Sequence, residues 1–239
     1  MEVSMRIAVA DDDRDSREFV SGLLTRAGYN CACFADGRDL VAHLRRETYD
    51  LLLLDWNMPG MTAIDVIDWV RQTMAEPPKI IVLTSRSAEQ DIIEALDRGA
   101  DDFITKPSGP GVIRARVAAN LRKAAAGEGE GRLTVYGRYC FDALEETARF
   151  DGQTVKLTAK EFALALLLFD NLRRPLSRTY ILQRIWNNSA DLATRTLDMH
   201  VSRLRTKLCL RPQNGYQLQT VFGYGYRLDA HCDENPVAV

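Results

Sequence analysis

Tyr49-Asp50-Leu51-Leu52-Leu53-Leu54 runs directly into Asp55, and this stretch decides the fold. A short apolar run that stops on a carboxylate reads as a strand buried on both faces, the kind found in parallel sheets. The same pattern recurs on either side of it. Residues 5–10 (Met-Arg-Ile-Ala-Val-Ala) form an apolar strand that ends in Asp11-Asp12-Asp13. Lys79-Ile80-Ile81-Val82-Leu83 stops at Thr84-Ser85, and Asp102-Phe103-Ile104-Thr105 stops at Lys106-Pro107. Helix-length segments lie between them: 14–27, with Phe19, Val20, Leu23 and Leu24 at helical spacing, then 62–74, 87–98 and 110–124. Apolar strands alternating with amphipathic helices specify a parallel sheet covered on both faces, and ligands of such sheets bind beyond the carboxyl ends of the strands.

The four strand ends carry chemistry that fits together. Asp11, Asp12 and Asp55 would meet at one edge of the sheet, where like charges disfavour one another's ionisation unless a cation intervenes. An all-oxygen donor set of this kind suits Mg²⁺. Lys106 ends another strand on that edge and can place a positive charge on a phosphoryl oxygen, and Thr84 offers a hydroxyl to a second oxygen. These are the requirements for a carboxylate nucleophile that accepts a phosphoryl group. Each residue alone reads more simply as part of a solvated turn or loop; the ordered set of five carries the argument.

At 239 residues the chain has room for two domains. An apolar fraction of 46% and a charged fraction of 27% are those of a soluble globular protein. No apolar run approaches the ~20 residues of a membrane span, and the N-terminal residues lack a secretory pattern, so a cytoplasmic protein without membrane association is expected. Cys31, Cys33, Cys140, Cys209 and Cys232 are scattered without a zinc-binding spacing and read as free thiols. Residues 1–127 hold 16 Lys+Arg against 20 Asp+Glu, whereas residues 132–228 hold 15 against 8, giving −4 and +7. Either the surface is merely uneven, or the second half has a polyanionic partner.

Ala124-Ala125-Ala126-Gly127-Glu128-Gly129-Glu130-Gly131 is rich in glycine and reads as a linker. The expected division is residues 1–126, a linker at 127–131, a second domain at 132–230 and a tail at 231–239. In the second domain, short strands over 132–157 include a hairpin turn at Asp151-Gly152. Helices near 158–171, 177–186 and 192–209 follow. Gln217-Leu218-Gln219-Thr220-Val221 and Tyr224-Gly225-Tyr226-Arg227-Leu228 form a closing strand pair around Phe222-Gly223. Leu197, Val201, Leu204 and Leu208 share one face of the last helix, while Arg195, Ser202, Arg203, Arg205 and Lys207 lie largely elsewhere around it. Such a helix is either a solvated surface element or one that enters a major groove.

Asp11-Asp12, Asp55 followed by Met58-Pro59-Gly60, Thr84, and Gly99-Ala100-Asp101-Asp102-Phe103-Ile104-Thr105-Lys106-Pro107 resemble the signature of receiver domains of two-component response regulators. Leu157-Thr158-Ala159-Lys160-Glu161-Phe162, Leu176-Ser177-Arg178, Ile185-Trp186, the run 195–205 and the run 220–228 resemble the winged-helix effector of OmpR/PhoB-type regulators. The resemblance implies an α/β doubly wound, five-stranded parallel sheet of the flavodoxin-like kind, followed by an α+β winged-helix domain. It implies that Asp55 accepts phosphate from a sensor histidine kinase, that Asp12, Asp55 and the Asn57 carbonyl hold Mg²⁺ with Asp11 acting through water, and that Thr84 and Phe103 form a switch pair. It places Ser202, Arg203 and Asp198 toward bases of double-stranded DNA. Trp186, Arg195, His200, Arg205 and Thr220 are assigned to DNA contact, largely with phosphates, and the loop near residues 186–193 would face RNA polymerase.

The chain departs from the family pattern in two places. The wing residue after Thr220-Val221, usually arginine, is Phe222, which cannot supply an electrostatic minor-groove contact and is left to pack or wedge apolarly. On the face by which members of the family form homodimers, Asp102 and Arg116 are kept. Two other pairs become Ile92 with Val112 and Arg98 with Lys123, and Ser108-Gly109-Pro110-Gly111 weakens the start of the last receiver helix. A dimer of altered specificity, or one formed without phosphate, is the expectation. Two other functions compete. Asp55-x-Asn57 approaches the Asp-x-Asp of aspartyl-phosphate phosphatases, but an amide at position 57 cannot act as a general acid-base, so no enzyme is expected. The alternative is a phosphorylation-independent DNA-binding regulator whose receiver serves as a dimerisation module.

Overall fold

The computed structural model describes residues 5–85, 88–125, 133–186 and 190–231, without the side chains of residues 123–125 and 190–195. The expected linker at 127–131 lies outside these residues. The chain forms two compact units, residues 1–127 and 128–239.

In the first unit, β1 (Arg6–Ala10), β2 (Asn30–Phe34), β3 (Leu51–Leu54), β4 (Lys79–Thr84) and β5 (Asp102–Thr105) form one sheet in the order β2-β1-β3-β4-β5. All pairings are parallel, with Ala10 beside Leu54, Leu54 beside Val82 and Thr84 beside Thr105. The connecting helices are α1 (Arg14–Arg26), α2 (Gly37–Leu44), α3 (Ala63–Thr73), α4 (Glu89–Asp97) and α5 (Pro110–Ala125). Successive strand residues point to opposite faces, so the apolar runs feed two cores. Ile7, Val9, Leu51, Leu53, Ile81 and Leu83 pack with Val20, Leu24, Val117 and Leu121. Ala8, Leu52, Leu54, Ile80 and Val82 pack with Leu40, Val66, Ile67 and Val70. The four leucines of β3 are all buried, which is why the run shows no polar alternation.

Sequence reading located four strands residue by residue and missed β2 and α2. The segment Asn-Cys-Ala-Cys-Phe is one of the sheet's two edge strands and nowhere fully buried, so it carries no continuous apolar run.

Local chemistry closes the helix ends. Asp13 caps α1 by accepting from Asp15 N and Ser16 N, and Thr62 with Asp65 forms a capping box at α3. At the opposite end of the sheet from the strand-end carboxylates, Asp101 accepts from Arg71 Nη2, Lys79 Nζ and Ile80 N at 2.8–2.9 Å. Burial pushes its carboxyl up, but the Lys79 and Ile80 hydrogen bonds and the Lys79 and Arg71 charges outweigh it and hold it below the ordinary aspartate range. A depressed carboxylate contributes stability that is complete above the unfolded-state pKa of about 3.9 and is lost as pH falls through the folded value. We therefore expect Asp101→Ala to destabilise the first unit by about 1–3 kcal/mol at neutral pH, with the difference from the native protein shrinking in denaturant melts below about pH 4. A pH-independent difference would contradict this account.

In the second unit, β6 (Leu133–Tyr136), β7 (Tyr139–Asp142), β8 (Thr147–Phe150) and β9 (Gln153–Val155) form an antiparallel sheet. Asp151 and Gly152 both have positive φ (50° and 76°) and link β8 to β9 as a two-residue hairpin turn. Then come α6 (Ala159–Phe169), β10 (Leu176–Ser177), α7 (Arg178–Trp186), α8 (Ala190–Lys207), β11 (Tyr216–Val221) and β12 (Gly225–Ala230), with the three strands paired as β10-β12-β11. Leu197, Val201, Leu204 and Leu208 are buried with Phe162, Leu168, Ile181, Leu218 and Leu228, as their helical spacing predicts. Among the described residues, no helix is long and apolar enough to cross a membrane.

Candidate functional site

The neighbouring placement of β1 and β3 puts Asp11 and Asp55 side by side just past the strand ends, with Asp55 N donating to Ala10 O at 2.7 Å. Lys106 follows β5, and its backbone N donates to Thr84 O at 2.7 Å. Its ammonium donates to Asp11 Oδ2 and to Asp55 Oδ1, each at 2.7 Å. The side chains of Asp11, Asp55 and Lys106 are only 5%, 11% and 24% exposed. Burial pulls the Lys106 ammonium down, but the hydrogen bonds to Asp11 and Asp55 and their charges more than compensate, so its pKa is raised. The remaining lone pairs are also engaged. Asp55 Oδ2 accepts from Asn57 N at 2.8 Å, Asp11 Oδ1 from Asp13 N at 3.0 Å, and Asp11 Oδ2 also from Ser16 Oγ at 2.6 Å. Arg17 Nη1 donates to Asp11 O. Neither Ser16 nor Arg17 stood out in the sequence, because both roles depend on where the first turn of α1 falls.

The expected trio of carboxylates is therefore met in two members. Asp12 is exposed, and among the described residues no group of three or more His, Cys, Asp and Glu side chains is arranged to hold an ion. Lys106 itself relieves the repulsion between Asp11 and Asp55. Two carboxylates and one ammonium still leave one excess negative charge at the edge of the sheet. Thr84 is fully buried at the end of β4. Phe103 is buried with its ring edge-on to Trp56, 6.4 Å between centroids.

In the second unit, Ser202 and Arg203 are exposed on α8. Arg205 Nε donates to Leu218 O at 2.9 Å and its Nη2 to Thr220 Oγ1 at 3.0 Å, so two of the expected DNA-contact residues are bonded to each other. Asp198, which the family resemblance turns toward bases, is exposed and has partners within its own domain. Its Oδ1 accepts from Arg178 Nη1 at 2.7 Å and also from Arg178 Nη2 and the Tyr226 hydroxyl. The Arg178 guanidinium lies over the Tyr226 ring at 5.2 Å. Arg178 and Tyr226, from α7 and β12, were invisible as partners because their sequence separations from Asp198 are 20 and 28. The Trp186 and His200 rings lie against each other, tilted by 39°, with 5.3 Å between centroids. Burial lowers the His200 pKa and the nearby Arg203 and Lys207 charges add to this, against an opposing effect of Glu161. A neutral imidazole can donate a hydrogen bond to a phosphate but brings no charge. The side chain of Arg195 lies outside the described residues.

On the face formed by α4, β5 and α5, Arg116 Nη1 donates to Asp102 Oδ1 at 2.7 Å and Asn120 Nδ2 to Asp102 Oδ2 at 3.2 Å, both within one chain. Arg98 pairs with Asp68, and Glu94 is nearby at 3.8 Å. Its charge is thus offset locally; the side chain of Lys123 is outside the described residues. Ile92 packs partly against the core, while Ile93, Leu96 and Val112 are exposed.

Residues 7–118 match the family described as response regulator receiver domain, and residues 152–228 match that described as transcriptional regulatory protein, C terminal. The sensory transduction protein RegX3 of Mycolicibacterium smegmatis is 34% identical over 227 residues, which cover 93% of this chain and 98% of the relative. The phosphate regulon transcriptional regulatory protein PhoB of Pseudomonas aeruginosa is 32% identical over 226 residues, covering 94% and 97%. Among solved structures, the response regulator DrrB of Thermotoga maritima, titled an OmpR/PhoB homolog, is 26% identical, covers 95% of this chain and 100% of that one, and superposes with a TM-score of 0.47.

Proposed function

Because this chain belongs to the two-component response regulators of the OmpR/PhoB type, a receiver domain joined to a DNA-binding transcriptional regulatory domain, we propose that phosphorylation of Asp55 by a sensor histidine kinase controls its dimerisation and its binding to double-stranded DNA. The observation that carries this reading is the Lys106 ammonium held at 2.7 Å on both Asp11 and Asp55 at the carboxyl edge of the sheet. A nucleophilic Asp55 oxygen forms the new P–O bond while the donor's P–N bond breaks, and the proton needed by the departing imidazole comes from the donor's side. Lys106 then exchanges its Asp55 contact for a phosphoryl oxygen, and the Thr84 hydroxyl turns toward another.

The chemistry of the residues at this edge suits a magnesium ion: carboxylate oxygens of Asp12 and Asp55 and the Asn57 carbonyl would be its hard ligands, with Asp11 acting through water, and the excess negative charge favours a divalent cation. When bound, Mg²⁺ neutralises charge that develops on the phosphoryl oxygens. Asn57 supplies no acid-base group, which agrees with a regulator and not a phosphatase.

For the effector, Ser202 and Arg203 are the side chains of α8 that reach base edges. Trp186, Arg195 and His200 approach the phosphates, and RNA polymerase meets the surface near residues 186–193. Asp198 acts as a positioning residue that ties α8 to α7 and β12. Asp198→Ala is expected to weaken DNA binding by about 5- to 20-fold with little change in thermal stability, because the Arg178 and Asp198 side chains are 37% and 49% exposed. Unchanged affinity would return Asp198 to the surface. The homodimer uses the α4, β5 and α5 face, where Ile92, Val112 and the Asp102 and Arg116 pair lie, and the protein works in the cytoplasm.

The test is DNA binding by the native protein at stated salt, with and without acetyl phosphate and Mg²⁺, alongside sedimentation. Tighter binding and dimer formation on phosphorylation support the proposal. Equal binding in both conditions supports the phosphorylation-independent alternative.

A further inference from the structure

We propose that Phe222 is an apolar wedge that enters a base-pair step of the bound DNA from the minor groove and bends it; this rests on the DNA-binding reading of the second domain. Phe222 stands at the turn between β11 and β12, beside Gly223, whose φ is +70°. It is 101% exposed, more than any other large apolar side chain among the described residues. A fully exposed ring at the tip of a hairpin is free to meet whatever surface the domain binds.

The surroundings favour DNA as that surface. The hairpin is joined to α8, whose outer side carries Ser202 and Arg203, through Arg205: its Nη2 donates to Thr220 Oγ1, two residues before the ring. A wedge also needs stiff backing, since a hairpin that bends away cannot unstack a base pair. Tyr224 O accepts from Arg178 N at 3.1 Å, and β12 pairs with β10 at Gly225 so closely that a Cβ there would lie 2.1 Å from Leu176 O. Residues 212–226, which include the turn of the hairpin, contain no lysine or arginine, and Arg227, farther along β12, is paired with Asp229, so the tip of the wing has no cation to offer the phosphates or the negative potential of a narrow groove. What it presents is a phenyl ring. Apolar side chains inserted between base steps from the minor groove unstack them and kink the duplex. Pyrimidine–purine steps such as TA and CA are the easiest to open, so the site should carry one where the wing falls.

The test begins with duplexes selected from a random-sequence library by the full-length native protein. Their affinity is measured at several salt concentrations, and their bend by energy transfer between end labels, for the native protein, Phe222→Ala, Phe222→Leu and Phe222→Arg. Thermal melts check that each variant is folded, which the full exposure of the ring favours. Phe222→Ala should bind about 10- to 100-fold more weakly, with the bend lost and the slope of affinity against salt unchanged. Phe222→Leu should keep most of the bend. Phe222→Arg should regain affinity without the bend and steepen the salt slope by about 0.9. Phe222→Ala that bends DNA as the native protein does overturns the wedge, whatever its affinity. If the native protein selects no duplex at all, the DNA-binding reading fails first and the wedge with it.

Discussion

Asp55→Asn is expected to take up no phosphate from acetyl phosphate, and its DNA affinity should be the same with and without the donor. The substitution preserves the shape of the side chain and one of the two acceptor oxygens; Asn57 N and Lys106 Nζ reach different oxygens, Oδ2 and Oδ1, so one of the two bonds is kept, while Lys106 stays paired with Asp11 and the fold is kept. What is removed is the anionic nucleophile, because an amide oxygen is a far weaker one. Phosphate-affinity gels and intact mass should show loss of the modified species to background, while the native protein is modified under the same conditions. Modification of Asp55→Asn to the native level would place the acceptor elsewhere and sink the assignment. A native protein that is modified, yet whose DNA binding is indifferent to the modification, would instead uphold the acceptor and reject its control over DNA. Ser16, Asp13 and Lys106 all hold Asp11 in place, so Asp11 keeps its geometry in the variant and the comparison isolates Asp55.

Gly225→Ala should disrupt the second domain alone. An added Cβ would lie 2.1 Å from Leu176 O and 3.0 Å from Arg178 N, and both are backbone atoms that no rotamer change can move. Strand β12 would have to part from β10, where Gly225 pairs with Ser177, and the same shift would disturb the Arg178, Asp198 and Tyr226 contacts. A loss of about 3 kcal/mol is expected, at the upper end of overpacking costs, together with weakened DNA binding. Phosphate uptake at Asp55 should be unaffected. Chemical denaturation followed by Trp fluorescence, paired with the phosphorylation assay, checks both halves of the statement. Native stability in Gly225→Ala would mean that β10 and β12 can part at Gly225 without cost.

How much was legible in the sequence differed from residue to residue. The four-leucine strand, the Asp11 and Asp55 strand ends, Lys106 and the apolar face of α8 could be read because their signals are local: burial on both faces erases polar alternation, and helical period places Leu197, Val201, Leu204 and Leu208 together. The edge strand β2 escaped because partial burial leaves no such signal. The family pattern carried Asp198 and Arg205 toward DNA; that Asp198 Oδ1 also meets Arg178 and Tyr226, and Arg205 Nε and Nη2 meet Leu218 and Thr220, depends on packing between elements far apart in the chain and had no local signal.

By itself, then, the sequence determined the alternating strands and helices of the first domain, its carboxylates at strand ends and the basic excess of the second domain, all properties of period, spacing and composition. Only the tertiary structure decided which charges meet. Lys106 lies 95 residues from Asp11 and 51 from Asp55, yet one ammonium joins both, while Asp12, adjacent to Asp11, remains exposed. Asp102 and Arg116 close on each other within one chain, and the Phe222 ring stands uncovered. Ion pairing acts over a few ångströms in space, and distance along the chain carries almost no information about it until strand order and helix packing have brought the partners together.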